Sequence, residues 1–482
     1  MDSKNVLEDI FMEDSSIINT YGNIQVTAPY KLLALTKLKV EKKINDHGRI
    51  FFTGIISDEY KEKYIEISDY KKEIEVNLVK NGAIESCIFK GTVINVEIKM
   101  VRDVYFIQVE GISYSYEMDI TLKKRSFQNV AMSYSELIKN VIKDYEGSNF
   151  IDMVTNNQSL KKFKTQYMET DWNFLKRIAS EFNTGLVVES AQDKSKFWFG
   201  IPEGRELGEL ESFNYTIRKD ISDYRNCSEN YICGIEEKDF IYYGIKDDNY
   251  FNIGDSVSFK SKRLIVSNVT IEIKEGILEY EYTLATENGM RCNPIYNENL
   301  VGVSAEGKVI DVSGEQVRLK LNMDNEQNKE EANWFYYSTF YSNIGWYCMP
   351  ELDDNVILYF PSNKEYEAFV ISSLRKKDKS GDKIDNPEVK YLRTKGNKEV
   401  MISKDEMVLT GKDEKVVIRL NDTSGIQINS DSTINIEAEG GLNISAANIE
   451  ITSRKELYMK CNESCIKMDG ETHISGTVVK IR

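Results

Sequence analysis

Residues 425–453 read GIQINSDSTINIEAEGGLNISAANIEITS, and their apolar positions recur every eight residues: Ile426, Ile434 and Leu442, with Ile428, Ile436 and Ile444 beside them. An apolar side chain at every second place marks a half-buried strand. Each strand of this kind brings only about two inward side chains, too little burial to offset the entropy of ordering it. The segment must therefore pack against something other than the rest of its own chain.

The pattern runs from residue 400 to the end of the sequence. Its apolar pairs, spaced mostly seven to nine residues apart, are Val400/Ile402, Met407/Leu409, Val416/Ile418, Ile426/Ile428, Ile434/Ile436, Leu442/Ile444, Ile449/Ile451, Leu457/Met459 and Ile466/Met468. A half pair, Ile474/Gly476, and a last pair, Val479/Ile481, complete it. Three copies wound into a triangular prism would bury all these side chains, make every ladder bond and leave no long edge along the shaft. Eleven repeats at about 4.8 Å per stacked strand give a shaft of roughly 50 Å. On the period alone, the competing readings are an aggregation-prone edge sheet and a monomeric solenoid. Near Asn448 the spacing drops to seven and the parity changes, which predicts a kink or a tightened corner.

The remaining chain divides by pattern. Residues 1–118 alternate short β-rich runs with turns (GRIFFTGII, KYIEISDY, KEIEVNLV, GTVINVEIK, DVYFIQVEGISYSYEM) and read as a barrel or sandwich. Residues 119–203 change character to a small α/β domain. Ser133 and Glu136 form a capping box before an apolar face of Leu137, Ile138, Val141 and Ile142. A second helix is capped by Thr170 or Asp171, buries Trp172, Leu175, Ile178, Ala179 and Phe182, and stops at Gly185. Residues 204–299 return to an all-β pattern, 300–375 form another compact β unit, and the charged stretch 376–399 reads as a neck or linker before the repeats at 400–482. With 6 prolines and 28 glycines in 482 residues, long flexible linkers are not expected.

The net charge of −16 excludes a general nucleic-acid binder, which needs an excess of Lys and Arg. No run of 18 apolar residues occurs, and the start MDSKNVLEDIFMEDSS is acidic where a signal peptide is basic and then apolar, so folding in the cytoplasm is expected. Seven scattered cysteines fit reduced thiols. The only histidines, His47 and His473, lie far apart in sequence with no Ser or Cys marked as a partner. Glu351, Asp353 and Asp354 read as a solvated turn, Cys461 and Cys465 lack a second pair for zinc, and Gly440-Gly441 reads as a corner. No catalytic, cofactor-binding or metal-ligating set is expected.

Five collinear segments resemble the VgrG-like spike proteins of contractile injection systems, relatives of phage tail spikes and late control protein D. FKGTVINVEIKMVRDVYFIQVEGISYSYEMDI with KKRSFQN resembles the family's first hub barrel and its exit. QYMETDWNFLKRIASEFNTGLV, residues 166–187, resembles its most recognisable run, Q-Y-x-E-T-D-x-x-F-L-x-R. FNIGDSVSFKSKRLIV resembles a strand pair of the second hub barrel, IGWYCMPELDDNVILYF with AFVISSLR the OB-fold collar, and the repeats the needle. The resemblance implies a mainly β protein with two hub β-barrels, a small α/β insertion, an OB-fold collar and an intertwined trimeric β-helix needle. It also implies a non-enzymatic homotrimer without cofactors, whose partners are a hexameric inner-tube protein, baseplate proteins and a PAAR-like tip protein or effector. Val479 and Ile481 would hold the tip, and the target membrane would be met only transiently as the spike leaves the cell. Asp353-Asp354-Asn355-Val356 stands where the family commonly has Gly-Asp-Glu-Val, a change Asp tolerates in a left-handed turn. The rival readings are a secreted β-helical polysaccharide-degrading enzyme and an adhesive fibre.

Overall fold

Strict alternation sets the first part of the chain: Ile24, Val26 and Ala28 point inward, as do Leu38 and Val40, Ile50 and Phe52, and Ile74, Val76 and Leu78. Each of the Val, Leu, Ile and Phe side chains among them contributes about 1.5–3 kcal/mol by leaving water, and Ala28 less. The computed structural model describes residues 16–20, 24–211, 214–274, 276–339, 347–374, 386–411 and 415–480, in two compact units, 1–377 and 378–482.

The two separate barrels expected at 1–118 and 204–299 are instead one 13-stranded sheet. Its main path runs Ser16–Thr20, Ile24–Ala28, Glu73–Lys80, Ala83–Val101, Val104–Ser113, Arg49–Ile56, Ala34–Lys43, Lys262–Lys274, Ile277–Ala285, Ile241–Asp247 and Tyr215–Lys219. The join is antiparallel, with Val40 opposite Ile271 and Leu38 opposite Ile273. Two strand edges that would otherwise face water with open backbone groups satisfy each other there. The path ends at Ser16–Thr20 and Tyr215–Lys219, so neither half is a closed barrel among the described residues.

Two local expectations fail in instructive ways. KYIEISDY reads as a strand but contains a short helix, α1 (Lys63–Ile67), because Tyr64 is drawn into an aromatic cluster with Tyr30 and Tyr60. The region expected to be all-β also holds a helix, α4 (Ile221–Asn230), capped by Asp220. Its small core of Cys227, Ile232, Ile235 and Phe240 stands apart from the main sheet.

The two helices of the insertion start where their caps predict. Helix α2 (Tyr134–Ile142) carries the Ser133/Glu136 capping box, and α3 (Asp171–Ser180) starts at Thr170, whose side chain accepts the Asn173 N–H. Leu137, Ile138, Val141, Trp172, Leu175, Ile178 and Ala179 share one core with Phe197 and Phe199. Phe182 is half-buried against the same cluster. Gly185 is not the helix stop. The chain turns at Asn183, whose φ is 53°, and Gly185 is required by contact: a Cβ there would lie 2.6 Å from Asn45 Oδ1 and 2.7 Å from Ile44 Cγ2. A three-stranded sheet covers the core, with Leu186–Val188 antiparallel and Asn149–Asp152 parallel to Lys196–Phe199.

Residues 300–375 form a five-stranded sheet in the order Trp334–Tyr336, Gln316–Leu321, Ser304–Ser313, Asn355–Tyr359, Phe369–Ser373. Ser338 N–H donates to Val370 O at 2.7 Å, linking its first and last strands. The acidic run serves the turn. Asp353 adopts φ 74° and pairs with Lys308 at 3.0 Å, while the Asp354 carboxylate accepts the Glu351 N–H at 2.8 Å. Gly345 and Trp346 of the resemblance lie outside the described residues.

In the second unit, five strands make an antiparallel meander: Lys390–Arg393, Glu399–Ile402, Glu406–Gly411, Val416–Asn421 and Gly425–Ser430. A three-stranded sheet of Leu457–Cys461, Ser464–Met468 and Thr472–Ser475 follows, and residues 431–456 contain no strand. This corrects two expectations. The stretch 376–399 is not wholly a linker, because its residues 390–393 pair with Glu399–Ile402. The first repeats pair with one another within the chain by short reversals, the nearest partner a single chain offers.

Candidate functional site

Antiparallel pairing puts opposed residues on the same face of a sheet. In the meander this produces two apolar rows. One runs Leu392, Val400, Leu409, Ile418, Ile428, and the other Ile402, Met407, Leu420, Ile426. The pairs read from the sequence therefore lie on one face, as their spacing of two requires, and Val416 extends that face beside Ile418. Leu392 and Leu420 join them and were not foreseen, although Leu420 simply continues the alternation Val416, Ile418.

That face is open. Ile426 is 72% and Ile428 55% exposed, and Ile402, Leu409, Val416, Ile418 and Leu420 are exposed too, while Val400 and Met407 are half-buried. Val408, on the opposite face, is the one buried hydrophobic residue of the unit among those described. Beyond the meander Ile434, Ile436, Leu442, Ile444, Ile449 and Ile451 are all exposed and belong to no strand. In the last sheet Met459, Ile466 and Ile474 form a row, with Leu457 opposite Met468. Val479 is exposed, and Ile481 lies outside the described residues. Within the meander the two rows make one apolar face open to water, unlike the singly scattered apolar residues that need no explanation on a protein surface.

The motif Gln166–Arg177 has a second task. Asp171, fully buried, is held by Lys123 at 2.7 Å, by Arg125, by Gln166 Nε2 at 2.9 Å and by the Tyr145 hydroxyl at 2.7 Å. Arg177, also buried, donates to Glu169 at 3.0 Å, to Glu365 at 2.5 Å and to the Thr165 carbonyl at 2.8 Å. Burial alone would push the Arg177 guanidinium down, but Glu365 and Glu169 hold it above its ordinary value. Burial pushes the Glu169 carboxyl up against the pull of Arg177. Asp324 is likewise pushed up by burial while it accepts the Ser126 N–H at 2.7 Å. Together these contacts clamp the insertion to the five-stranded sheet at 300–375. Glu169 and Arg177 are visible in the motif, but Glu365 and Asp324 are not, since no local pattern marks them.

His47 does find a serine and an aspartate. Its Nδ1 lies 2.7 Å from Ser115 Oγ and its Nε2 3.4 Å from Asp119 Oδ2. The imidazole lies 4.6 Å from the Trp172 ring, tilted 36° to it, and His47 and Ser115 are 4% and 1% exposed, so no substrate reaches the hydroxyl. Asp119 accepts the Thr170 hydroxyl and the Asn173 amide, which ties His47 to the start of α3. Burial pushes the Asp119 carboxyl up, but hydrogen bonds from His47 and Thr170 outweigh it and leave it below its ordinary value. His473 lies opposite Lys467 on the side away from Ile474, 3.6 Å from Asp469. Among the described residues no group of acids, histidines and cysteines is placed to hold a metal. No helix among them is long and apolar enough to cross a membrane.

No sequence-family profile matches the chain, and no curated protein matches it by sequence. Solved structures do match. One is the E. coli c3393 protein, a component of the type VI secretion system with structural similarity to the T4 bacteriophage tail proteins gp27 and gp5; it is 12% identical, the match covers 75% of this chain and 99% of that one, and the TM-score is 0.51. The half-lidded Francisella PdpA–VgrG complex gives 8% identity, 89% and 91% coverage and a TM-score of 0.55. Its lidded form gives 9% identity, 89% and 83% coverage and a TM-score of 0.54. At these identities the likeness concerns architecture, and it spans nearly the whole chain: this protein has the fold of VgrG and of its type VI secretion counterpart.

Proposed function

We propose that the protein is the homotrimeric spike and hub of a contractile injection machine. The observation that carries this reading is the open apolar face of 390–430, continued by the unpaired apolar residues of 431–456. Three copies brought together along that face would bury the two rows against each other and supply residues 431–456 with strand partners. The core would comprise Val400, Ile402, Met407, Leu409, Val416, Ile418, Ile426, Ile428, Ile434, Ile436, Leu442, Ile444, Ile449, Ile451, Leu457, Met459, Ile466 and Met468.

In this reading the 13-stranded sheet supplies two hub lobes per copy, giving a pseudo-sixfold ring that fits a hexameric inner tube. The sheet at 300–375 acts as an OB-like collar, and the link from Ser338 to Val370 between its end strands supports that assignment. Contraction drives tube and spike forward, and a prism with every backbone group paired transmits force without opening locally. The spike assembles in the cytoplasm with baseplate proteins and leaves the cell on firing. Val479 and Ile481 at its blunt end offer apolar side chains to a PAAR-like tip protein or effector. Francisella VgrG is found in complex with PdpA, which supports the idea that such a spike binds a further component. The buried His47–Ser115–Asp119 group fits a structural, non-enzymatic role. Light scattering of the full chain tests the proposal: a native mass near three times 55.6 kDa is expected, and a stable monomer overturns it.

A further inference from the structure

The three-stranded sheet of the insertion has two unlike faces. Phe197 and Phe199 point into the helical core, so Trp198 between them points the other way. There it stands in a row between Val187 and Ile151, and the next row pairs Lys196 with Asn149. A hollow of about 300 Å³ opens over this face, lined by Asn149, Ile151, Glu189, Gln192, Lys196 and Trp198 among others. That volume lies at the lower end of the range of small-molecule sites.

The lining is half saturated. Asn149 Oδ1 accepts the Phe150 N–H, Gln192 Oε1 accepts Lys196 Nζ at 3.2 Å, and Glu189 Oε1 accepts the Ala191 N–H. Among the described residues, Asn149 Nδ2, Gln192 Nε2 and the second Glu189 oxygen carry no hydrogen bond. The hollow thus presents two amide donors, an ammonium and a carboxylate acceptor around the half-buried Trp198 indole and an isoleucine. Lys196 and Glu189 cancel in charge, so neither a phosphate nor a cation is favoured. A second hollow of about 460 Å³ shares Trp198 and Glu189, and its two cations are already engaged: Arg205 pairs with Asp255 at 2.7 Å and Lys42 donates to the Tyr250 hydroxyl at 2.8 Å.

A neutral ligand with one apolar face and a rim of hydroxyls matches the first hollow. The apolar C–H side of a pyranose ring packs against aromatic and aliphatic side chains such as Trp198 and Ile151. Its hydroxyls both donate and accept, as a mixed set of amides and a carboxylate requires. We infer that the face around Trp198 binds a neutral pyranose unit of a glycan.

The inference is independent of the trimer, since every residue it uses belongs to the first unit. The test uses the full chain with two probes, N,N′,N″-triacetylchitotriose and maltotriose, followed by saturation-transfer difference NMR. At least one probe is expected to give saturable transfer in the millimolar range, lost at least tenfold in W198L. Trp198 is partly packed, so N149A and Q192A serve as a second pair on exposed positions, each expected to weaken binding severalfold without changing native mass or melting temperature. Absence of saturable transfer from both sugars overturns the inference. Binding unchanged in W198L and in N149A/Q192A overturns it too, as does displacement of the sugar by inorganic phosphate. Native mass measured on the same samples reports separately on the spike reading.

Discussion

Ile436→Asp is the sharpest test of the proposed shaft. In the single chain Ile436 is 68% exposed, so most of its surface is still available for burial by neighbouring copies. Burying that share of an isoleucine is worth about 1–2 kcal/mol per chain, and about 3–6 kcal/mol over three copies. Aspartate forfeits this and also brings carboxylates into a dry interior, at a further cost of several kcal/mol each unless they neutralise. Neutralisation has a sign that can be checked. Burial raises the aspartate above its ordinary value of about 3.9, so the variant keeps its stability below that value and loses it as pH rises through the raised one. The expected outcome is a trimer that falls apart at neutral pH and partly recovers near pH 4, read by light scattering and by heat resistance on gels. Gln427→Asp, on the opposite face of its strand, is the matched control and is expected to change little. An I436D trimer as heat-resistant as the parent at pH 7.5 would refute the inward assignment.

Three further outcomes concern the first unit. Arg177→Ala leaves Glu169 and Glu365 buried without their partner and is expected to cost about 3–5 kcal/mol in urea unfolding. Because burial raises Glu169 and Asp324, the stability they contribute is present below their unfolded values of 4.5 and 3.8 and is lost as pH rises through the raised folded ones. E169Q and D324N, which mimic the protonated forms, are expected to flatten that part of the urea-midpoint profile, and an unchanged slope would count against the assignment. Gly185→Ala drives a methyl into Asn45 and Ile44 and is expected to cost about 1–3 kcal/mol by the same unfolding assay.

The parts that were legible in the sequence are those where a local rule governs. Ser133 with Glu136 announces α2 and Thr170 announces α3, because a cap is a contact between residues three apart. Asp353 keeps its left-handed turn for an equally local reason. What escaped depends on distant partners. Tyr64 is pulled from a strand pattern into α1 by Tyr30, and α4 has too few apolar residues to show a stripe. The join of Ala34–Lys43 to Lys262–Lys274 turns two expected barrels into one sheet, and nothing in either strand names its partner. The apolar pairs after residue 400 were plain in their spacing, but that spacing does not say whether a strand turns back on its own chain or meets another. Glu365 and Asp324 complete the clamp from segments whose local sequence has no reason to carry an acid there.

The same join governs how the chain can be made. Lys43 cannot pair until Asn268 has been synthesised, so the strand Ala34–Lys43 leaves the ribosome long before its neighbour exists. At about 5–20 residues per second the wait is on the order of 11–45 seconds. During it, one edge of this amphipathic strand, whose inner face carries Leu38 and Val40, stands open while the insertion folds. That interval leaves the edge open to wrong partners, a risk its four lysines reduce. Slower translation lengthens it, and a chaperone that shields residues 34–43 would act on yield without touching the finished molecule.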